Sequence, residues 1–197
     1  MKLDKKTLAG YLDLANHHQD ATPEQVEAIC QAVIQYGFNA AFVNPFYVSF
    51  TKERLAGAAK VGTVIAFPLG QDKGQVKNLS ALQAIEDGAD EVDVSMNVGL
   101  FKSGQAEAVL AEMKELVKQV KAAQPQTMVK FIIETGYLTE EEIKKASLLV
   151  LTSGADFVKT SSGWGPRGAS VRDVQLIREA VGDKIKIKVA GGIDTYE

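Results

Sequence analysis

A barrel of the (β/α)8 type that stops after its seventh strand is the architecture this sequence predicts, and three features predict it. Short β-branched, apolar runs recur, each followed by a longer segment with apolar residues at helical spacing, which is the alternation of β/α units around a parallel sheet. Strand-to-strand spacing averages about 30 residues, close to one eighth of the ~250 residues of a typical barrel. No GxGxxG follows the first strand and no GxxxxGK followed by Ser or Thr occurs, so two common open-sheet nucleotide-binding folds lose their signatures.

In chain order, the first strand is expected near 11–14, and Thr22-Pro23-Glu24 then opens a helix over 22–36. Apolar runs at 41–44 and 60–67 give the second and third strands, and an amphipathic stretch over 71–87 leads to the fourth at 91–95. The longest helical pattern, 106–123, precedes a fifth strand at 129–134. A helix over 139–153 begins TEEE, whose carboxylates suit a helix N-terminus. The sixth strand, 157–160, runs into a Gly-rich turn, a helix over 170–181 and a seventh strand at 186–190. The segments ALQAIEDGADEVDVS and ASLLVLTSGADFVKTS share a helix–GAD–strand pattern, as repeated β/α units would. The pattern runs out at GGIDTYE, where an eighth unit of roughly 20–30 residues is expected. Unpaired edges on the first and seventh strands then need cover, from the rest of a truncated chain, a partner or a rearrangement.

Residues 1–197, 46% of them hydrophobic, suffice for one domain with a substantial core. A net charge of -3 argues against nucleic acid as a partner. The one cysteine, Cys30, excludes an internal disulfide and a multi-cysteine metal site, which fits the cytoplasm. No apolar stretch approaches the ~20 residues of a membrane span, and none resembles a signal peptide.

In a parallel barrel the working residues stand at the C-terminal ends of the strands. Lys159 ends the sixth strand, opposite Val158 by alternation, and Lys188 lies near the end of the seventh. Asp93 stands between two valines on the fourth. A lysine in a barrel lumen is driven toward its neutral form by desolvation, and a second cation lowers its pKa further. Lys159 and Lys188 on adjacent strands supply that pair, so that one amine can attack a carbonyl while Asp93 holds the other proton or relays it. The competing reading sends strand lysines outward past the helices, and Lys186 is assigned to that class. Gly163 in the GWGPRG stretch, with Gly191 and Gly192, places Gly-rich turns where barrels bind phosphate through backbone N–H groups. Trp164 either flanks the site or sits on the surface. Lys130 can add charge to the lumen and is given no catalytic step. His17-His18 lacks a carboxylate or cysteine partner for a metal site and reads as a solvated loop.

The segments TVIAFPLG, EVDVSMNVG, VKFIIETGYL, GADFVKTSSG and IKVAGG resemble, in order and spacing, those of the class I deoxyribose-phosphate aldolases over nearly the whole chain. That resemblance implies reversible cleavage of 2-deoxy-D-ribose 5-phosphate to D-glyceraldehyde 3-phosphate and acetaldehyde, on a (β/α)8 scaffold with no metal or organic cofactor. It implies that Lys159 forms the Schiff base, that Lys188 is the second catalytic lysine and that Asp93 relays protons. It further implies a phosphate grip at Gly163, Gly191 and Gly192, contact of Thr160 with the sugar chain, and a homodimer. A non-catalytic remnant or scaffold, or a Schiff-base aldolase for another sugar phosphate or an unphosphorylated aldehyde, is the alternative.

Three departures from the family pattern stand out. The usual DHTLLKPDAT reads DLANHHQDAT over 13–22, keeping the aspartate and changing its neighbours. Phe42 replaces a cysteine that is reactive in some members, so less inactivation by unsaturated aldehydes is expected, with residual activity after crotonaldehyde exposure as the measure. GGIDT replaces GGIRT, putting Asp194 where a cation is usual, and Arg167 is a candidate to compensate.

Overall fold

In the computed structural model, which describes residues 3–193, seven parallel strands lie side by side in chain order. They are β1 (Asp13–Asn16), β2 (Ala40–Val43), β3 (Lys60–Ile65), β4 (Glu91–Ser95), β5 (Met128–Ile132), β6 (Phe157–Lys159) and β7 (Lys186–Lys188). All seven expected strands are present. Their ends shift by up to two residues, since backbone that leaves the ladder can keep its apolar character.

The helices are α1 (Lys5–Ala9), α2 (Pro23–Tyr36), α3 (Val48–Leu55), α4 (Gly74–Glu86), α5 (Val98–Lys102), α6 (Ala106–Ala123), α7 (Glu140–Ser153) and α8 (Val171–Val181). Three of them begin with a reciprocal capping box, Thr22 with Gln25, Thr139 with Glu142 and Ser170 with Asp173. Left-handed glycines at Gly37 and Gly154 end α2 and α7. The sequence reading passed over α1, α3 and α5, which are too short for a periodic pattern to accumulate. α3 buries only Val48, Thr51 and Leu55, and α5 is a five-residue turn capped by Asn97, whose Oδ1 accepts from the Leu100 N–H at 2.9 Å.

Alternation along the strands sorts side chains into two layers. Ala41, Val43, Val61, Ile65, Val92, Val94, Val129, Phe131 and Val158 join the helices in one apolar core, which also holds Cys30, the protein's one thiol. Facing the lumen are Asp13, Phe42, Val64, Glu91, Asp93, Lys130, Ile132, Lys159 and Lys188, as the strand register requires. Gly62 on β3 leaves room for Phe42, since a Cβ there would stand 2.2 Å from the ring.

The shared GAD segments do one job twice, at the N-terminal end of the barrel. Asp90 accepts from the Val61 N–H at 2.9 Å and from Lys52, while its own N–H donates to the Val61 carbonyl at 2.8 Å. Asp156 does the same with Val129, at 2.8 and 2.9 Å, and with Lys121 at 2.8 Å.

Among the described residues β1 and β7 do not pair, yet the sheet curls far enough for Lys188 on β7 to reach Asp13 on β1 at 2.6 Å. An open groove of about 990 Å³ is lined by Val171, Val174 and Arg178 of α8 together with Val189, just after β7. Val171 is 77% exposed, so this flank carries apolar surface without cover among the described residues.

Candidate active site

The lumen is built around one carboxylate. Asp93 is fully buried, and its Oδ2 accepts from Lys159 at 2.8 Å and from Lys188 at 2.9 Å, while Oδ1 accepts from Lys130 at 3.0 Å. Three strands thus aim an ammonium or amine at a residue of a fourth. Lys130 also donates to Glu91, which is bound at the rim by Lys60 at 3.0 Å. Lys188 pairs with Asp13, which is fixed by the Asn39 side chain at 2.7 Å. Of the three lumen lysines, Lys159 alone has Asp93 as its sole carboxylate partner.

That asymmetry separates the lysines chemically. Burial disfavours the charged form of Lys159, Asp93 opposes this, and Lys188 and Lys130 add to the depression, leaving the pKa below its ordinary value. Lys130 suffers the same desolvation, but Asp93 and Glu91 together outweigh it and raise its pKa. Burial works against ionised Asp93 too, yet Lys159, Lys188 and Lys130 hold it well below the usual carboxylate range. The group is therefore an ionised acceptor beside one amine that holds its proton less tightly than an ordinary lysine.

Phe42 forms one wall. Lys188 Nζ lies 3.6 Å from its ring centroid and Lys130 Nζ 4.7 Å, so the ring meets two lysine amines. The expectation that Lys186 points away from Lys188 is corrected: both stand on the same strand face, and Lys186 lies 5.3 Å over Phe157 at the other end of the barrel. The error came from treating two residues of equal parity as if they alternated.

At the C-terminal end, Gly163, Gly191 and Gly192 all adopt positive φ, and Gly163 and Gly191 approach so closely that a Cβ on Gly191 would meet the Gly163 Cα at 3.3 Å. Thr160 is buried, and its hydroxyl donates to the Ala190 carbonyl at 3.1 Å and accepts from its N–H at 3.0 Å. Its side chain ties the sixth-strand end to the seventh. Arg167 does not point to a phosphate site. Both its terminal nitrogens engage Asp173, at 2.6 and 2.9 Å, and one also donates to the Thr135 carbonyl. The guanidinium closes the GWGPRG loop against the α8 cap, because a buried carboxylate with that geometry is its natural partner. Asp194 lies outside the described residues.

The two histidines part company. His18 is exposed and meets Trp164, also exposed, edge to face at 5.9 Å, joining the loops after β1 and β6. His17 does not belong to a solvated loop. Its ring packs 5.2 Å from Phe67 and 6.4 Å from Phe42, and burial pushes its pKa down to about 3, with Lys159 and Lys188 adding and Asp93 opposing. The sequence reading missed Asp13 and Glu91 as lumen groups and His17 as a wall. Glu91 had a signal, since it is two residues from Asp93 on one strand. His17 had none, because its inward turn is set by Asn16, whose Oδ1 accepts from the His18 N–H, and by Asn44, which donates to the His18 carbonyl.

Comparison with known proteins sets the chain among aldolases. The DeoC/LacD family of aldolases matches residues 4–197. A deoxyribose-phosphate aldolase of Thermococcus gammatolerans is 47% identical over 193 residues, covering 96% of this chain and 85% of the relative. One from Thermococcus kodakarensis is 46% identical, covering 99% of this chain and 88% of its own length. Among solved structures, the aldolase QR15 superposes with a TM-score of 0.88 at 38% identity, over 94% of this chain and 81% of that one. The deoxyribose phosphate aldolase of Aeropyrum pernix, described as tetrameric, gives 0.86 at 31% identity, over 96% and 80%. Strand order and similarity agree, and the chain belongs to the DeoC/LacD family of aldolases.

Proposed function

We propose that this protein is a class I aldolase that reversibly cleaves 2-deoxy-D-ribose 5-phosphate to D-glyceraldehyde 3-phosphate and acetaldehyde. The observation that carries the reading is the buried Lys159 amine, which shares its one carboxylate with two other lysines and has a lowered pKa. A neutral amine attacks the C1 carbonyl, and loss of water gives an iminium. The C3 hydroxyl gives up its proton, the C2–C3 bond breaks, and its electron pair enters the iminium to form an enamine, releasing D-glyceraldehyde 3-phosphate. Protonation at C2 and hydrolysis free acetaldehyde and restore the lysine. The contact between Lys188 and Asp93 at 2.9 Å supports assigning the transfer of these protons to that pair. Backbone N–H groups at Gly163, Gly191 and Gly192 receive the phosphate, and Thr160 serves the site by fixing the turn after β7.

With Arg167 committed to Asp173, the phosphate contacts assigned among the described residues are backbone groups, and turnover of unphosphorylated aldehydes is expected as well. We place the protein in the cytoplasm as a homo-oligomer, a dimer by family resemblance. Among the described residues no helix is long and apolar enough to cross a membrane.

Incubation with acetaldehyde and borohydride, followed by peptide mass spectrometry, tests the assignment. A reduced adduct on Lys159 is expected, and an adduct elsewhere or none overturns it. Light scattering of the purified protein tests the oligomer.

A further inference from the structure

His17 presents a problem that the reaction above does not use. Its Nδ1 is buried and, among the described residues, meets no donor or acceptor. A buried polar atom without a partner is costly, and native structures hold few. The ring is nonetheless firmly seated between Phe42 and Phe67, and the backbone beside it is tied to Asn16 and Asn44. The charged and titratable groups it faces are Lys159, Asp93 and Lys188 from β6, β4 and β7, with His18 beside it in sequence. Burial and the two lysines keep the imidazole neutral, so one ring nitrogen carries a proton and the other is bare.

The carbon chain of the substrate has needs that the other groups leave unmet. Lys159 takes C1, and the glycine turns after β6 and β7 take the phosphate. Between them lie carbons bearing hydroxyls, and a hydroxyl both donates and accepts, so it matches Nδ1 in either tautomer. We propose that His17 is a specificity-determining residue that hydrogen-bonds, through Nδ1, a hydroxyl on the acceptor half of the substrate. The inference rests on the aldolase reading and adds a preference for hydroxylated over plain acceptor aldehydes. A site built to bond a hydroxyl discriminates against analogues lacking it because its own polar atom is then stranded.

The test uses acetaldehyde as donor with two unphosphorylated acceptors, D-glyceraldehyde and propanal, so that phosphate binding drops out of the comparison. His17→Phe keeps an aromatic ring between Phe42 and Phe67 and removes the nitrogen. His17→Asn keeps a polar atom near the Nδ1 position, whereas His17→Gln places one near Nε2. We expect His17→Phe to lose about tenfold in kcat/KM for D-glyceraldehyde, roughly 1.4 kcal/mol, and to stay within about twofold for propanal. His17→Asn recovers much of the loss and His17→Gln does not. Borohydride trapping of acetaldehyde on Lys159 is unchanged in all three.

Equal effects on both acceptors, as from a ring that only packs or only holds a structural water, overturn the inference while leaving the aldolase reading intact. So does the absence of any effect. Failure of the unsubstituted protein to trap acetaldehyde at Lys159 overturns the aldolase reading and this inference with it.

Discussion

Aspartate and lysine meet at both ends of this barrel, with opposite consequences. At the N-terminal end, Asp90 and Asp156 each accept from a strand N–H as well as from a lysine, and each stays partly open to solvent. In the lumen, the Asp93 carboxylate accepts among the described residues from the side chains of Lys130, Lys159 and Lys188 and from no backbone N–H. A carboxylate that completes the ladder of the strand before it holds the barrel together. One whose recorded partners are all titratable groups sets their protonation instead. The same residue types stabilise in one place and prepare a reaction in the other, and the difference is what else each carboxylate touches.

Substitution of the lysine with the fewest partners separates the two ends most sharply. Lys159→Met removes the nucleophile and, with it, the cost of burying an amine. Turnover is expected to fall at least about 10⁴-fold, since the covalent route is closed, and the borohydride adduct disappears. The melting temperature holds or rises, because active-site groups are kept at the expense of stability. A folded Lys159→Met variant retaining a tenth of the activity contradicts the assignment.

Asp93→Asn comes next, and it divides the reaction into its steps. Asp93 opposes the other influences that lower the Lys159 pKa, so its loss lowers that pKa further. Imine formation with acetaldehyde then persists to lower pH, while turnover falls by about 10²–10³-fold for want of a proton carrier. Single-turnover trapping beside steady-state rates reads both effects. Parallel loss of trapping and turnover contradicts this division. Asp93 itself, with its folded-state pKa depressed, contributes stability that is present above the unfolded value and lost as pH falls through the folded one.

Lys188→Met tests the coupling between cations. Lys188 lowers the Lys159 pKa, and its removal also leaves Asp93 less neutralised, which favours a charged Lys159 in the same direction. The amine needs a higher pH to be free, so the rising limb of imine formation moves to higher pH. A profile that stays in place, or moves to lower pH, removes Lys188 from that role.

Much of this was legible in the sequence, for reasons particular residues make plain. Strand order and inward parity came through because Val92, Val94 and Val158 mark the outer face on either side of Asp93 and before Lys159. The short helices α3 and α5 did not, having too few turns for periodicity to show. Arg167 was misjudged because its Asp173 partner belongs to a helix cap six residues away, and a cap looks the same in sequence whether or not its carboxylate is shared. His17 escaped because its inward turn depends on a hydrogen bond from Asn44, in the loop that follows another strand. Parity along one strand is local information, whereas partner choice among charged groups is tertiary.

The smallest effect is expected where the two ends differ most. Asp156→Ala removes the acceptor shared by the Val129 N–H and Lys121 Nζ, and the Asp156 N–H bond to the Val129 carbonyl remains. Lys121 keeps the Thr127 carbonyl at 2.8 Å, so the charge is not stranded. The strand N–H is, and a buried donor left unpaired costs about 1–3 kcal/mol. For a domain of this size each kcal/mol lowers the melting temperature by about 2–4 °C. Lys159 stands at the opposite end of the same short strand, with Val158 fixed in the outer core between them. The variant should therefore melt earlier and, at temperatures where it is folded, keep kcat within about twofold. Calorimetry and initial rates on one preparation decide it. A large fall in kcat without a change in melting temperature means that the GAD aspartates tune the reactive end as well, and that the division between the two ends of the barrel does not hold.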